Sequence, residues 1–218
     1  MDIEQDLETR LTSAPVVPLI GASDTAVAVD TAKALGAGGL SVIEVVLRTD
    51  EAVDCMEAIV KETSGLIVGA GTVLTVAQAE EVIARGAQFV VCPGLVDEVA
   101  EYCLAQSMPL FAGTMTAGEV QRAYALGLRT VKFFPASLAG GVPMLKALTS
   151  VFRDMRFMPT GGVSASNLGD FLALPSVVAC GGSWLTPPAE IEAGNFDAIT
   201  TLAQEAVAIS RQARPTEN

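Results

Sequence analysis

Histidine is missing from this chain altogether. Its absence removes the usual general base near neutral pH and the commonest metal ligand. Ser-His-Asp and Cys-His hydrolases are excluded on that ground, as are histidine-bound zinc sites. Any acid–base chemistry must use a carboxylate, a lysine, a tyrosine, a cysteine or water. Basic residues are few: 13 Lys and Arg stand against 25 Asp and Glu, for a formal net charge of -12. That balance argues against a nucleic-acid partner. It also means that an anionic substrate needs a locally favourable pocket. Charged residues make up only 17% and hydrophobic ones 50%, so the interior must be large relative to the surface. Even so, no apolar run is long enough to span a membrane. The segment Met1-Asp2-Ile3-Glu4-Gln5-Asp6 is acidic and polar, unlike a secretory or transit peptide. A cytoplasmic protein with no membrane partner is the expectation. The cysteines Cys55, Cys92, Cys103 and Cys180 are widely spaced. They read as reduced core residues, not as a disulfide framework or a zinc site.

Lysine is also scarce, with only Lys33, Lys61, Lys132 and Lys146. Three of these sit in helical patterns that allow solvation. Lys132 lies instead in Thr130-Val131-Lys132-Phe133-Phe134-Pro135, an apolar run that reads as a buried strand. A buried ammonium is costly, so it needs a partner or a task. Buried amines of depressed pKa are the nucleophiles that form Schiff bases with carbonyl substrates. The plainer alternative is a lysine snorkelling from a strand end.

Short apolar strands alternate with amphipathic helices along the chain. Candidate strands are Val16 to Ile20, Val42 to Leu47, Leu66 to Ala70, Phe89 to Cys92, Pro109 to Ala112, Val131 to Phe134, Arg156 to Pro159 and Val177 to Cys180. Candidate helices include Ala26 to Leu35, Val76 to Arg85, Val96 to Gln106 and Ala117 to Leu126, with caps offered by Asp24, Thr75 and Ser164. The strands begin roughly every 20 to 26 residues, about the minimum for a strand, a helix and two short loops. Eight such units predict an α/β fold with a parallel sheet, a compact (β/α)8 TIM barrel in one domain. An open doubly wound sheet is the alternative, but no G-x-G-x-x-G follows the first strand. An extra helix is expected over Ile3 to Leu11 and a closing helix over Asp197 to Arg211, with Ala213 to Asn218 frayed.

The active site of such a barrel lies at the C-terminal strand ends. Glu44 is the only carboxylate inside a candidate strand, in Ile43-Glu44-Val45-Val46-Leu47-Arg48. With a period of two, Glu44 and Arg48 share a face, but about 13 Å apart, too far for direct pairing. A structural ion pair through other strands is one reading, and separate roles in proton transfer and anion binding are another. A single buried carboxylate is thin support for a hard cation, so metal-free chemistry is expected. Glycine pairs mark the last two strands, in Thr160-Gly161-Gly162-Val163-Ser164 and Gly181-Gly182-Ser183-Trp184. Loops in these places often bind phosphate through backbone N–H groups and a helix N-terminus. Gly69-Ala70-Gly71-Thr72 ends the third strand, and its hydroxyl is placed to hold a carboxylate or a carbonyl.

These segments together resemble the 2-keto-3-deoxy-6-phosphogluconate (KDPG) and 4-hydroxy-2-oxoglutarate (KHG) aldolase family. The resemblance is carried by Val16-Val17-Pro18, Ile43 to Thr49, Val68 to Leu74, Gly86 to Phe89, Pro93-Gly94-Leu95, Val131 to Ala136, Arg156 to Val163 and Gly181 to Leu185. It runs from about residue 14 to 208. It implies a class I aldolase on a TIM barrel, a homotrimer that needs no metal and no cofactor. Lys132 would be the Schiff-base lysine and Glu44 the proton-transfer residue. Arg48 and Thr72 match the pyruvate-carboxylate positions, Pro93 and Phe134 the pocket walls, and Thr160 the substrate site. Gly161, Gly162, Gly181, Gly182 and Ser183 match the phosphate end. The implied reaction splits a phosphorylated keto acid into pyruvate and glyceraldehyde 3-phosphate. 4-Hydroxy-2-oxoglutarate and the phosphogalactonate epimer stay open as substrates, and a metal-assisted aldolase or a non-catalytic phosphometabolite-binding barrel as other classes. Where many relatives carry an arginine after the first strand, this chain reads Leu19-Ile20-Gly21-Ala22.

Overall fold

The computed structural model describes residues 3–214. Eight strands alternate with ten helices among them. They are α1 (Ile3–Ser13), β1 (Val16–Ile20), α2 (Thr25–Ala37), β2 (Val42–Val46), α3 (Ala52–Glu62), β3 (Ile67–Gly71), α4 (Val76–Ala84), β4 (Val90–Val91), α5 (Asp97–Ala105) and β5 (Leu110–Thr114). There follow α6 (Ala117–Ala125), β6 (Thr130–Phe133), α7 (Gly141–Val151), β7 (Arg156–Pro159), α8 (Leu168–Leu172), β8 (Cys180–Gly182), α9 (Pro188–Glu192) and α10 (Phe196–Ala213). All ladder pairs are parallel, in the order β7-β6-β5-β4-β3-β2-β1-β8. Bridges from Phe157 to Val177 and from Thr160 to Gly181 close the ring between β7 and β8. This is the expected (β/α)8 barrel, with the extra helix α1 in front.

Local chemistry accounts for most boundaries. The Asp24 side chain accepts the Val27 N–H at the start of α2, and Thr75 accepts that of Gln78 at the start of α4. Thr116 and Glu119 form a reciprocal capping box on α6. Two expectations need correction. Ser164 caps nothing: α8 starts only at Leu168, and the Ser164 N–H donates to Asn167 Oδ1. The last strand is Cys180–Gly182, not Val177 to Cys180, because Val177 only bridges Phe157 before the ladder with β1 begins at Cys180. At the end of the chain, Ala213 closes α10, while 215–218, expected to fray, lie outside the described residues.

The core has two parts. The larger lies between the strands and the helices that cover them. The smaller fills the barrel with Val17, Val42, Ile67, Phe89, Val91, Phe111, Met158 and Ala179, and takes in Leu7 and Leu11 of α1. Glu8 of α1 pairs with Arg156 at the start of β7, and Arg10 donates to the carbonyl of Gly65 just before β3. Helix α1 therefore plugs the N-terminal mouth. Side chains along a strand alternate faces. The next inward positions toward the C-terminal mouth are Leu19, Glu44, Gly69 and Gly71, Gly113, Lys132, Thr160 and Gly181, most of them glycine or polar. The apolar interior thus gives way to a layer of glycines and polar groups.

Candidate active site

Strand β6 carries Lys132 into the barrel, level with Gly113 on β5 and Met158 on β7. Strand β2 carries Glu44 in from the far side, level with Gly69 on β3 and Leu19 on β1. The two side chains meet with Lys132 Nζ 3.5 Å from Glu44 Oε1. Glu44 is fully buried and Lys132 only 5% exposed. A pair so dry must offset a large desolvation cost, so it is weak evidence for stability. Neither oxygen of Glu44 accepts a hydrogen bond from any described protein group. A buried polar group left in that state calls for a functional explanation. The Phe134 ring centroid lies 5.3 Å from Lys132 Nζ and walls one side.

Gly71 makes room for this pair, and Gly113 for the backbone after β4. A Cβ on Gly71 would overlap the carboxylate of Glu44, and one on Gly113 would overlap the carbonyl of Pro93. Thr114 is buried, and its Oγ1 donates to the Lys132 carbonyl at 3.1 Å, fixing the β6 backbone where the lysine departs. Sequence reading did not single out Gly71, Gly113 or Thr114 as individual site residues. The available signal was their position at strand ends.

Thr72 follows β3 with φ +62. A β-branched residue in the left-handed region is a true outlier, of the kind held at ligand sites. Arg48 does not share the strand as expected. Strand β2 ends at Val46, and Arg48 stands exposed at the rim with no ion pair among the described residues. Pro93 is half-buried after β4. Nearby Cys92 is buried, and burial pushes its thiol up to about 12. It stays protonated and cannot serve as a base near neutrality.

Thr160 is buried beside Gly181, where a Cβ would overlap its hydroxyl. Gly161 and Gly162 form a turn with φ +93 and +77. The second pair behaves differently: Gly181 and Gly182 lie in β8, and Gly182 is needed because the Trp184 ring packs where a Cβ would stand. Ser183 is exposed just beyond. Neither loop runs straight into a helix, since α8 begins at Leu168 and α9 at Pro188. What the loops expose is therefore backbone N–H groups, with the Ser183 hydroxyl after β8. A separate groove of about 440 Å³, lined by Lys33, Ser41, Glu62 and Leu66 among others, opens at the opposite end of the barrel, away from this chemistry. No three His, Cys, Asp or Glu side chains among the described residues converge as metal ligands. No described helix is long and apolar enough to cross a membrane.

A (β/α)8 barrel with buried ionisable groups at its C-terminal mouth is the arrangement of a TIM-barrel enzyme. Comparison with known proteins narrows the class. The family model described as "Aldolase: KDPG and KHG aldolase" matches residues 7–202, and the chain belongs to that family. The KHG/KDPG aldolase of Escherichia coli K12 is 48% identical over 200 residues, 92% of this chain and 94% of that protein. The 2-dehydro-3-deoxy-phosphogluconate aldolase of Zymomonas mobilis is 41% identical over 209 residues, 96% of this chain and 99% of the relative. Among solved structures, the Legionella pneumophila KDPG aldolase, with pyruvate captured at low pH as a covalent carbinolamine, superposes with a TM-score of 0.88. It is 37% identical and covers 91% of this chain and 97% of its own.

Proposed function

We propose that this chain is a class I aldolase that reversibly cleaves 2-dehydro-3-deoxy-6-phosphogluconate to pyruvate and glyceraldehyde 3-phosphate. The observation that carries the reading is the buried Lys132–Glu44 pair, 3.5 Å apart, whose carboxylate accepts no protein hydrogen bond. Family membership and relatives that bear this activity in their names support it. In this reading the Lys132 amine adds to the C2 ketone, and loss of water gives a protonated imine. The C3–C4 bond then breaks, its electron pair passing to the imine nitrogen to leave an enamine. Glu44 takes the proton of the C4 hydroxyl as that carbon becomes the aldehyde. Protonation of the enamine at C3 and hydrolysis of the imine release pyruvate and restore the amine. Arg48 and Thr72 hold the carboxylate, Pro93, Phe134 and Thr160 shape the pocket, and Gly161, Gly162, Gly181, Gly182 and Ser183 take the phosphate.

The iminium is the electron sink, so the reaction needs no metal. Among the described residues Glu44 is the one buried carboxylate, too few oxygen ligands for a hard cation. The enzyme acts as a homotrimer, as the family resemblance implies, and in the cytoplasm, in keeping with the acidic, polar segment Met1 to Asp6. Leu74, Val96 and Met115, exposed in the loops after the neighbouring strands β3, β4 and β5, supply apolar surface for subunit contact. The test is pyruvate release, followed in the presence of EDTA, from the phosphogluconate substrate and from 4-hydroxy-2-oxoglutarate. Turnover that survives EDTA and favours the phosphorylated substrate is expected. Activity abolished by EDTA contradicts the metal-free reading, and a preference for 4-hydroxy-2-oxoglutarate contradicts the substrate assignment.

A further inference from the structure

The turn after β7 contains three consecutive peptide units, 160–161, 161–162 and 162–163. All three carbonyls are engaged on one side. The Ala136 N–H donates to the Thr160 carbonyl at 2.8 Å, and the Ser137 N–H to that of Gly161 at 3.0 Å. The Gly162 carbonyl accepts two bonds, from Ser137 Oγ and from Asn167 Nδ2, each 2.9 Å. The Asn167 amide is itself oriented, because its Oδ1 takes the Ser164 N–H at 2.9 Å. In contrast, the N–H groups of Gly162 and Val163 donate to no protein acceptor among the described residues, while the parallel bridge between Thr160 and Gly181 turns the Gly161 N–H toward the Gly181 carbonyl. The carbonyl and N–H of a trans peptide point in opposite directions. Drawing the Gly161 and Gly162 carbonyls toward Ser137 and Asn167 therefore turns two successive N–H groups the other way, those of Gly162 and Val163. Such a run of N–H groups is an anion-binding nest. Ser137 and Gly162 are matched in shape, since a Cβ on Gly162 would overlap Ser137 Oγ.

We propose that Ser137 and Asn167 are positioning residues for phosphate recognition. By saturating the Gly162 carbonyl they lock the turn with its N–H groups presented to the anion, and they do not touch the substrate themselves. Ser137 lies five residues beyond Lys132, so the same loop ties the phosphate end to the strand that carries the amine. This inference rests on the reading of the Gly161–Gly162 turn as the phosphate end of the site.

The experiment compares the parent enzyme with Ser137→Ala, Asn167→Ala and Ser137→Thr. Each is assayed on 2-dehydro-3-deoxy-6-phosphogluconate and on its non-phosphorylated counterpart, and each is melted thermally. The parent should strongly prefer the phosphorylated substrate. In the two alanine variants KM for that substrate should rise about tenfold, with kcat within about twofold, as expected for losing one hydrogen bond that orders the nest. Turnover of the non-phosphorylated substrate should not change. Ser137→Thr keeps the hydroxyl and should keep the parent's preference. An unchanged preference in both alanine variants overturns the positioning role, as does an equal fall on both substrates, which marks general damage. A parent with no preference refutes the phosphate reading itself, and the inference with it.

Discussion

Lys132 and Glu44 stand out in the sequence because each violates its surroundings. A lysine between valine and phenylalanine, and a glutamate between isoleucine and valine, are expensive where strands are buried. Residues that create space leave no such mark. Gly71 looks like an ordinary strand-end glycine until β2 and β3 are paired and the Glu44 carboxylate is found against it. Thr114 contacts the Lys132 carbonyl across eighteen residues of sequence, and nothing local announces it. In Gly71→Ala the added methyl must push the carboxylate away from the amine. Since a misplacement of about 1 Å can cost about a hundredfold in rate, kcat/KM should fall about a hundredfold or more. Steady-state kinetics on folded variant checks this, and near-normal turnover would show that the fit of Glu44 against Gly71 does not matter.

Elements were legible wherever period and cap agreed. The capped helices α2 and α4 start within a residue of their expected positions, because Asp24 and Thr75 bond the backbone as their sequence positions suggest. Strand β8 was less legible. Val177 to Ala179 is as apolar as any strand here, but apolarity reports burial and not ladder pairing, and the pairing with β1 begins only at Cys180. Arg48 was assigned to a strand face for a related reason, since the apolar run continues to Leu47 while the strand stops at Val46. Helix α1 was expected as an extra helix, yet its role as a plug depends on contacts with the starts of distant strands. Leu11→Ala should cost about 2–5 kcal/mol through the cavity it leaves. Activity should stay within about twofold of the parent, because the plug lies at the end of the barrel opposite the site. Urea unfolding beside a turnover assay reads both. Stability unchanged within error would contradict the plug.

At the scale of the whole molecule, burial makes stability depend on pH through the thiols. Burial pushes the Cys92 thiol up to about 12 and that of Cys103 up to about 11. An unfolded thiol ionises near about 8.5. With the folded value raised, this contribution is complete below about pH 8.5 and is lost as pH climbs toward 11 to 12. Between pH 8 and pH 10 the unfolding free energy should fall by about 2 kcal/mol per thiol. Urea titrations under reducing conditions test this, and Cys103→Ala should reduce the fall; an identical fall in that variant would contradict it. The same closure of the sheet makes the chemistry possible. Lys132 and Glu44 sit on strands four places apart in the sheet, and they meet only because the barrel closes around them. The sequence supplied both residues, and the ring of strands supplied their encounter. The central claim is that Lys132 forms the imine. Borohydride reduction of the protein with saturating pyruvate, read by intact mass and peptide mapping, tests it most directly. One pyruvate-derived adduct is expected on the peptide that contains Lys132, and none in Lys132→Ala. A folded, pyruvate-saturated protein that gains no adduct, or gains it on another lysine, would contradict it.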